Sequence, residues 1–416
     1  MGLLQKVQDV ATLVKFDIHE WLTDRWQVRI RRSHKRVLRA TPGALTESRD
    51  DHFAIVAIYP SDDSLLFTVN LLEALSAAHF WVLVISTGQL GTGQLAKISG
   101  RSHQVIERAA VGRDFGSYKM GLEWLERHKQ LRRSGEVLIL ANDSMFYPKA
   151  FTAELLNMLR RQADWQSLFE SYEPYYHAQS FFLLLRSPLL RSAVFWRFWA
   201  QYKPYSARLH CINRGEVSLS VCLTRGGFVC EPAYSSVRLD EALREKPLPL
   251  RDLLDLVPTG DHWDVSASVL FNSMMDVERS FPVTEAVGGG ETRALASASR
   301  AANVLLERRR ADLPANWLPR QRAEWLLWER WVARLIHRFE GSNPTHVGAL
   351  LCNRLLAAPI KRDVCYRGTL DINQTMRMAT GFDADEMAAM HRDLRSRGLG
   401  LQMSGPRRWL FGTGRI

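Results

Sequence analysis

The sequence predicts an α/β fold, a doubly wound and mostly parallel sheet with a basic helical segment before it and a helical region after it. Two observations carry that expectation. Short apolar runs at Phe53–Tyr59, Phe80–Ser86 and Glu136–Ala141 suit strands covered on both faces, and His103–Arg108 reads as a further strand among them. Helix-forming stretches lie between them, one running to about Ala78 and one from about Phe115 to Leu131. Strand–helix alternation of this kind gives parallel strands joined by right-handed crossovers. Ligands of such sheets bind outside the carboxyl ends of the strands, which directs attention to Pro60–Asp63, Thr87–Gly88, Val111–Tyr118 and Asn142–Ser144.

The elements follow in order. Leu3, Leu4, Val7, Val10, Leu13 and Val14 recur at helical spacing. Trp26–Arg39 then interleaves cations with apolar residues, as either a membrane-surface element or a solvated basic helix capping the fold. Thr41–Asp50 reads as a linker. Residues 1–48 thus form a basic helical segment, and an α/β domain occupies 49–285. Ser61–Ser64 supplies capping residues for the first crossover helix. Within the same domain Ser180–Arg186 is a further strand, and Pro188–Lys203 a helix bearing Phe195, Trp196, Phe198 and Trp199. Val287–Gly290 marks a flexible joint. Residues 286–416 are mainly helical, most clearly at Gln321–Trp331.

Bulk composition narrows the classes. Among 416 residues, 46% are apolar and 24% charged, the balance of a folded chain. A net charge of +11 favours anionic partners. No zinc-finger spacing or RNA-binding signature appears, so nucleic acid is not an expected partner. The five cysteines, Cys211, Cys222, Cys230, Cys352 and Cys365, are odd in number and lack metal-site spacing, which suits a reducing compartment. Met1–Val14 is too polar for a secretory signal, and no apolar run reaches the roughly 18 residues of a membrane span. The expected location is cytoplasmic, peripheral at the inner face of the cytoplasmic membrane.

Several motifs can carry chemistry. In Val111–Tyr118, Gly112 and Gly116 permit close backbone approach, and a helix start offers N–H groups to an anion. Arg113 suits a phosphate, while Asp114 suits either a helix cap or a ligand hydroxyl. Asp143, in Asn142-Asp143-Ser144 at a strand end, suits a divalent Mg or Mn ion bridging phosphates, or an Asx turn. Glu216 reads either as an acid at a helix start or as a base for an acceptor hydroxyl. His177 and Gln179, among aromatics, suit a sugar or plain packing. His346, after Asn343-Pro-Thr, is the reactive-looking group of its segment. There is no Gly-x-Ser-x-Gly elbow, no phosphate loop ending in Gly-Lys-Ser/Thr, no His-Glu-x-x-His and no dinucleotide-binding glycine fingerprint.

Taken together, Gly112-Arg-Asp-Phe-Gly-Ser-Tyr118, Asn142-Asp-Ser144, His177-Ala-Gln-Ser-Phe-Phe182 and Asn343-Pro-Thr-His346 with Ile360-Lys-Arg362 resemble the rhamnan synthesis protein F family, over roughly residues 50 to 370. The resemblance implies an A-type glycosyltransferase fold and a nucleotide-sugar donor, often of rhamnose. It implies a lipid-linked or polysaccharide acceptor in cell-surface polysaccharide or lipopolysaccharide synthesis. Asp143 would inherit the metal role and Glu216 that of the base in an inverting transfer. Gly112, Arg113, Asp114, Gly116, Tyr118, Asn142 and Ser144 would line the donor side, and His177, Gln179 and His346 the acceptor side. Asn142 and Ser144 stand where many such transferases carry carboxylates. A non-catalytic glycan-assembly protein retaining the fold is the alternative.

Overall fold

The protein is described here by a computed structural model covering residues 36–59, 61, 65–172, 175–249, 252, 253, 256, 319–367, 370–400, 403 and 405–412, with 11, 14–19, 21–23, 25 and 26. The apolar positions Leu3 to Val10 and Leu13, the capping residues Asp62 to Ser64, and the joint at Val287–Gly290 with its boundary at 285 lie outside the described residues.

Among the described residues, eight strands form one sheet. In chain order they are β1 (Val37–Pro42), β2 (His52–Ile58), β3 (Trp81–Thr87), β4 (Gln104–Arg108), β5 (Val137–Asn142), then, beyond the short β6 (Met145–Phe146), β7 (Trp165–Ser167). The two-stranded pair β8 (Glu170–Ser171) and β9 (His177–Ala178) precedes β10 (Phe182–Arg186) and β11 (Cys230–Pro232). The spatial order is β1-β4-β3-β2-β5-β10-β7-β11. Strands β4, β3, β2 and β5 are parallel, and β10 runs antiparallel to both β5 and β7. The fold is therefore mixed α/β with a large, mostly parallel sheet. The chain moves outward from β2 through β3 to β4, then returns to the other side of β2 as β5. That reversal is a topological switch point, the place where such sheets bind ligands.

Strand β2 shows why the apolar runs become central strands. All seven of its residues are buried. Phe53, Ile55 and Ala57 face one core, shared with Phe115, Tyr118 and Trp199. Ala54, Val56 and Ile58 face another, shared with Phe67, Phe146 and Leu350. Side chains alternate across a strand, so only a run apolar at every position satisfies both cores. The Leu65–Ala77 and Phe151–Arg160 helices cover the second face, and the Arg113–Lys129 and Ala193–Gln201 helices the first.

Two differences from the sequence reading matter. Val37–Pro42, assigned to the end of a basic helix and the start of a linker, is strand β1, antiparallel to β4. Its Arg39 provides the reason. Glu107 of β4 is fully buried, its Oε1 accepts from Leu90 N at 2.6 Å and from Arg39 Nη2 at 2.8 Å, and Arg39 Nε also meets the carboxylate. A buried carboxylate needs a cation beside it, and β1 delivers one. The second difference is the C-terminal region, which is helical as expected but also contributes strand β12 (Ile360–Lys361), paired with β6. Leu350, Leu351, Ile360, Val364, Met390 and Leu394 share the core of the second sheet face. Asn70 Nδ2 and Lys149 N both donate to Glu386 Oε1, at 2.6 and 2.9 Å. The Pro319–Glu340 helix packs on Ser236–Glu245, where Ser236 Oγ donates to Glu340 at 2.8 Å.

Candidate functional site

The switch point is stitched shut between β2 and β5. Tyr59 N donates to Asp143 Oδ2 at 2.9 Å, and Asp143 N donates to Ala57 O at 3.2 Å. Asp143 is 7% exposed. Buried Arg362, one residue past β12, donates from Nη1 to the Asp143 carbonyl at 2.9 Å, and the same nitrogen lies 3.9 Å from Asp143 Oδ2. The guanidinium fork is fixed by Asp393, at 3.1 and 2.5 Å. Burial raises the Asp143 carboxyl above its ordinary range, with Arg362 and the Tyr59 N–H opposing.

Asn142 ties this point to the next helix. Its Oδ1 accepts from Ser144 N and Oγ, at 3.1 and 2.6 Å, the Asx turn the sequence allowed. Its Nδ2 donates to Asp114 Oδ2 at 2.8 Å. Magnesium is held by one or two carboxylates, with waters and substrate phosphate completing its shell, and Asp143 would be the carboxylate to hold it. Here Asn142 Oδ1 serves Ser144, Asp143 is engaged by an N–H and a guanidinium, and among the described residues no three His, Cys, Asp or Glu side chains gather as a metal group.

The Gly112–Tyr118 turn is built by steric necessity. Gly112 and Arg113 both have left-handed backbones, with φ of 79° and 50°. A Cβ on Gly112 would fall 2.6 Å from the Pro204 carbonyl oxygen. Instead Gly112 N donates to Ser206 Oγ at 3.0 Å and Arg113 Nε donates to Ser206 O at 2.9 Å. A non-glycine residue held in this conformation costs on the order of 1 kcal/mol or more and is characteristic of working sites. Arg113 is exposed and Asp114 half-buried.

Gly116 and Tyr118, expected on the donor side, are both packed against protein. A Cβ at Gly116 would meet Val111 O at 2.6 Å and Arg108 Nη2 at 3.0 Å, so this glycine makes room for protein, not ligand. Tyr118 is fully buried and its hydroxyl donates to Ser180 O at 2.9 Å. The residue that sequence reasoning missed is Arg108, the last residue of β4. It is fully buried and donates to Ser117 Oγ at 3.0 Å and to the carbonyls of Ala109, Val111 and Arg113, at 3.1, 2.5 and 2.6 Å. Burial brings its pKa down to about 10. A cation ending a strand just before a glycine turn was the available signal.

Glu216 is not at a helix start. A helical run from Arg208 to Arg225 contains it, and Cys211–Val217 is a π-helical stretch. Such stretches often mark functional positions. Gly215 lets the turn press on Phe115, whose ring carbons would lie 3.0 Å from an added Cβ. Glu216 Oε1 accepts from Ser180 N at 2.5 Å. Tyr118 therefore holds the carbonyl, and Glu216 the N–H, of one residue. Burial pushes the Tyr118 hydroxyl well above its ordinary pKa, and the charges of Asp114, Glu216 and Asp143 add to that shift.

The remaining candidates divide. His177 and Gln179 are buried, at 4% and 3% exposed. His177 Nδ1 meets Tyr175 O at 2.8 Å, and Gln179 Nε2 donates to Asn343 Oδ1 at 2.9 Å, so both are spent on packing the chain against the 343–346 turn. His346 Nε2 meets Asp363 Oδ1 at 3.1 Å, and Arg367 lies 3.6 Å from the same carboxylate. Burial opposes ionisation of Asp363, but Lys361, His346 and Arg367 outweigh it and hold the carboxyl well below its usual range. Burial lowers His346 despite that partner. Half-buried Arg208 joins the two sides. Its pKa falls to about 10 through burial and the like charge of Arg367 and Arg113, with Asp363 and Glu216 pulling the other way.

Residues 82–249 match the family model of rhamnan synthesis protein F. The match is narrower than the 50–370 span of the motif likeness, and Tyr59, Arg362, Asp363 and Arg367 fall outside it. The chain is also 23% identical, over 282 residues, to the uncharacterized protein y4gN of Sinorhizobium fredii, covering 66% of this chain and 70% of that protein. The family match connects the chain with polysaccharide synthesis.

Proposed function

We propose that the protein transfers a sugar, rhamnose being the family's suggestion, from a nucleotide donor to a growing cell-surface polysaccharide or lipopolysaccharide. What supports this reading is the hydrogen bonding at the switch point, where Asn142, next to Asp143, bonds Asp114, and Ser180 bonds both Tyr118 and Glu216. The reaction is a single displacement with inversion. Glu216, held through one oxygen by Ser180 N–H, takes the acceptor hydroxyl proton on the other. The acceptor oxygen bonds to the anomeric carbon as the carbon–oxygen bond to the diphosphate breaks, and the diphosphate leaves with the electron pair. Fixed cations aimed at that developing charge lower the barrier. Asp143 acts as a positioning residue, joining β2, β5 and Arg362.

An acceptor on a lipid carrier would bring the enzyme to a membrane. Among the described residues no helix is long and apolar enough to cross one. The helical residues near the N-terminus instead expose Val14, Ile18, Trp21 and Leu22, each about half accessible and spaced along one face. The cations between Trp26 and Arg36 follow directly, a pairing suited to an anionic surface.

The test is a donor screen that measures release of free nucleoside diphosphate with and without glycan acceptor. Replacing Glu216 by Gln should lower turnover by about 10²- to 10⁴-fold with donor binding retained. Full turnover in that variant would reject the assigned base, and no release with any donor would favour a non-catalytic assembly role.

A further inference from the structure

We propose that the groove between the Ala193–Gln201 helix and the Arg214–Arg225 face of the next helical run binds an anionic lipid, its phosphate on arginines and the start of its hydrocarbon chain on an apolar floor. The inference does not depend on the transferase reading, though the two share an element. Glu216 lies in the same run, outside the groove lining, and gives its carboxylate to Ser180 N. The groove measures about 580 Å³, within the range of small-molecule sites. Side chains three and four apart share a helix face. On that spacing Phe198 and Tyr202 from one side, and Val217 and Val221 from the other, make a buried to half-buried floor. Exposed Arg197, Lys203, Arg214 and Arg225 make the rim.

The charge of that rim is not answered by protein. No Asp or Glu lines the groove. From Ser187 to Cys230 the chain carries six Lys and Arg but one acid, Glu216. Glu123 and Glu126 of the Arg113–Lys129 helix line a separate cavity, with Trp196 and Ala200. None of the four rim cations makes an ion pair among the described residues. Exposed Arg132, Arg191 and Arg244, by contrast, each meet a carboxylate. His210 also lines the groove but is engaged, its Nε2 meeting Lys203 O at 2.9 Å. Guanidinium forks match phosphate oxygens in geometry as well as charge, and a bound phosphate relieves the repulsion around the opening. The floor decides what carries that phosphate. A bare phosphate would leave most of the volume and all of the floor unused. A nucleic-acid strand needs ring faces on which its bases stack, and here Phe198 and Tyr202 stack on each other at 5.9 Å and 21°, with Phe115 also against Tyr202 at 5.4 Å. Aliphatic Val217 and Val221 beside those rings suit a hydrocarbon chain, which gains by leaving water.

The test is isothermal titration calorimetry on the full chain with dihexanoyl phosphatidic acid, held below its micelle concentration so that no membrane surface forms. Dihexanoyl phosphatidylcholine supplies the same chains without net charge, and inorganic phosphate supplies the charge without chains. Phosphatidic acid should bind about 10-fold or more tightly than either. Arg214→Gln combined with Arg225→Gln should weaken it by about 30-fold, from about 5-fold per cation, with circular dichroism unchanged. Arg214→Lys with Arg225→Lys should keep most of the affinity. Leu22→Glu should bind like the parent, since the N-terminal stripe is no part of the groove. Equal affinity for inorganic phosphate or phosphatidylcholine, displacement of the lipid by a single-stranded oligonucleotide at physiological salt, or full binding by the glutamine pair overturns the proposal. So does the absence of any binding of phosphatidic acid. Each of these results leaves the release of nucleoside diphosphate, and with it the transferase reading, untouched.

Discussion

Replacing Arg362 by Met tests whether the C-terminal segment holds the switch point together. Arg362 is 4% exposed and serves Asp393 through two nitrogens and the Asp143 carbonyl through a third. Methionine fills much of the space but removes every donor. Breaking one side of a buried ion pair costs about 3 to 5 kcal/mol, chiefly because the abandoned charge stays buried. Asp393 keeps one partner, Arg397, whose Nε lies 3.0 Å away. The loss should therefore fall at the lower end, about 3 kcal/mol. Urea denaturation followed by tryptophan fluorescence reads it as a drop in the midpoint at unchanged slope. The double variant Arg362→Met with Asp393→Leu should recover the share owed to Asp393 but not the share owed to Asp143, whose carboxylate stays buried without Arg362. A single-variant loss below about 1 kcal/mol, the range of surface pairs, would refute the reasoning.

Gly112→Ala should destabilise by about 2 to 4 kcal/mol, from the left-handed backbone and the clash with Pro204, whereas Gly227→Ala, with open space around it, should cost only the backbone share. Urea midpoints of the two variants compare them directly. For pH, His346 and Asp363 both have lowered native pKa values, so each adds stability above its unfolded value and loses it as pH falls. Stability should decline below about 6.5 from His346 and again below 3.8 from Asp363, and Asp363→Asn should abolish the second decline in a pH series of thermal melts. Leu22→Glu should reduce co-sedimentation with vesicles containing anionic phosphatidylglycerol and leave the weak binding to neutral phosphatidylcholine unchanged; equal binding of variant and parent to the anionic vesicles would remove the N-terminal stripe as the contact.

The parts of the fold written in local pattern were legible. Strands β2, β3 and β5 announce themselves because a strand between two cores must be apolar throughout, and the rule for carboxyl ends then picked out Gly112–Tyr118 and Asn142–Ser144. What the sequence could not disclose was side-chain direction and distant partnership. Tyr118 looks like a ligand contact until its hydroxyl is seen on Ser180, 62 residues away. Strand β1 is hidden because Arg39 reads as surface charge until Glu107, 68 residues on, requires it. The π-helical turn at Glu216 depends on Gly215 meeting Phe115, which no helical periodicity encodes. The guanidinium beside Asp143 was hidden for the same reason, since Asp143 and Arg362 are separated by 219 residues.

That separation also sets an order in time. A ribosome adds about 5 to 20 residues each second, so Asp143 is synthesised roughly 10 to 45 s before the arginine that neutralises it. Throughout that interval the nascent sheet carries a carboxylate with no permanent counterion and a bare β6 edge awaiting β12. A chain cut short after residue 249 would keep every residue of the family-matched span, yet it would lack Arg362, Asp363 and Arg367. The Asp143 setting is thus completed only late in synthesis, and incomplete translation products would carry that carboxylate without its guanidinium.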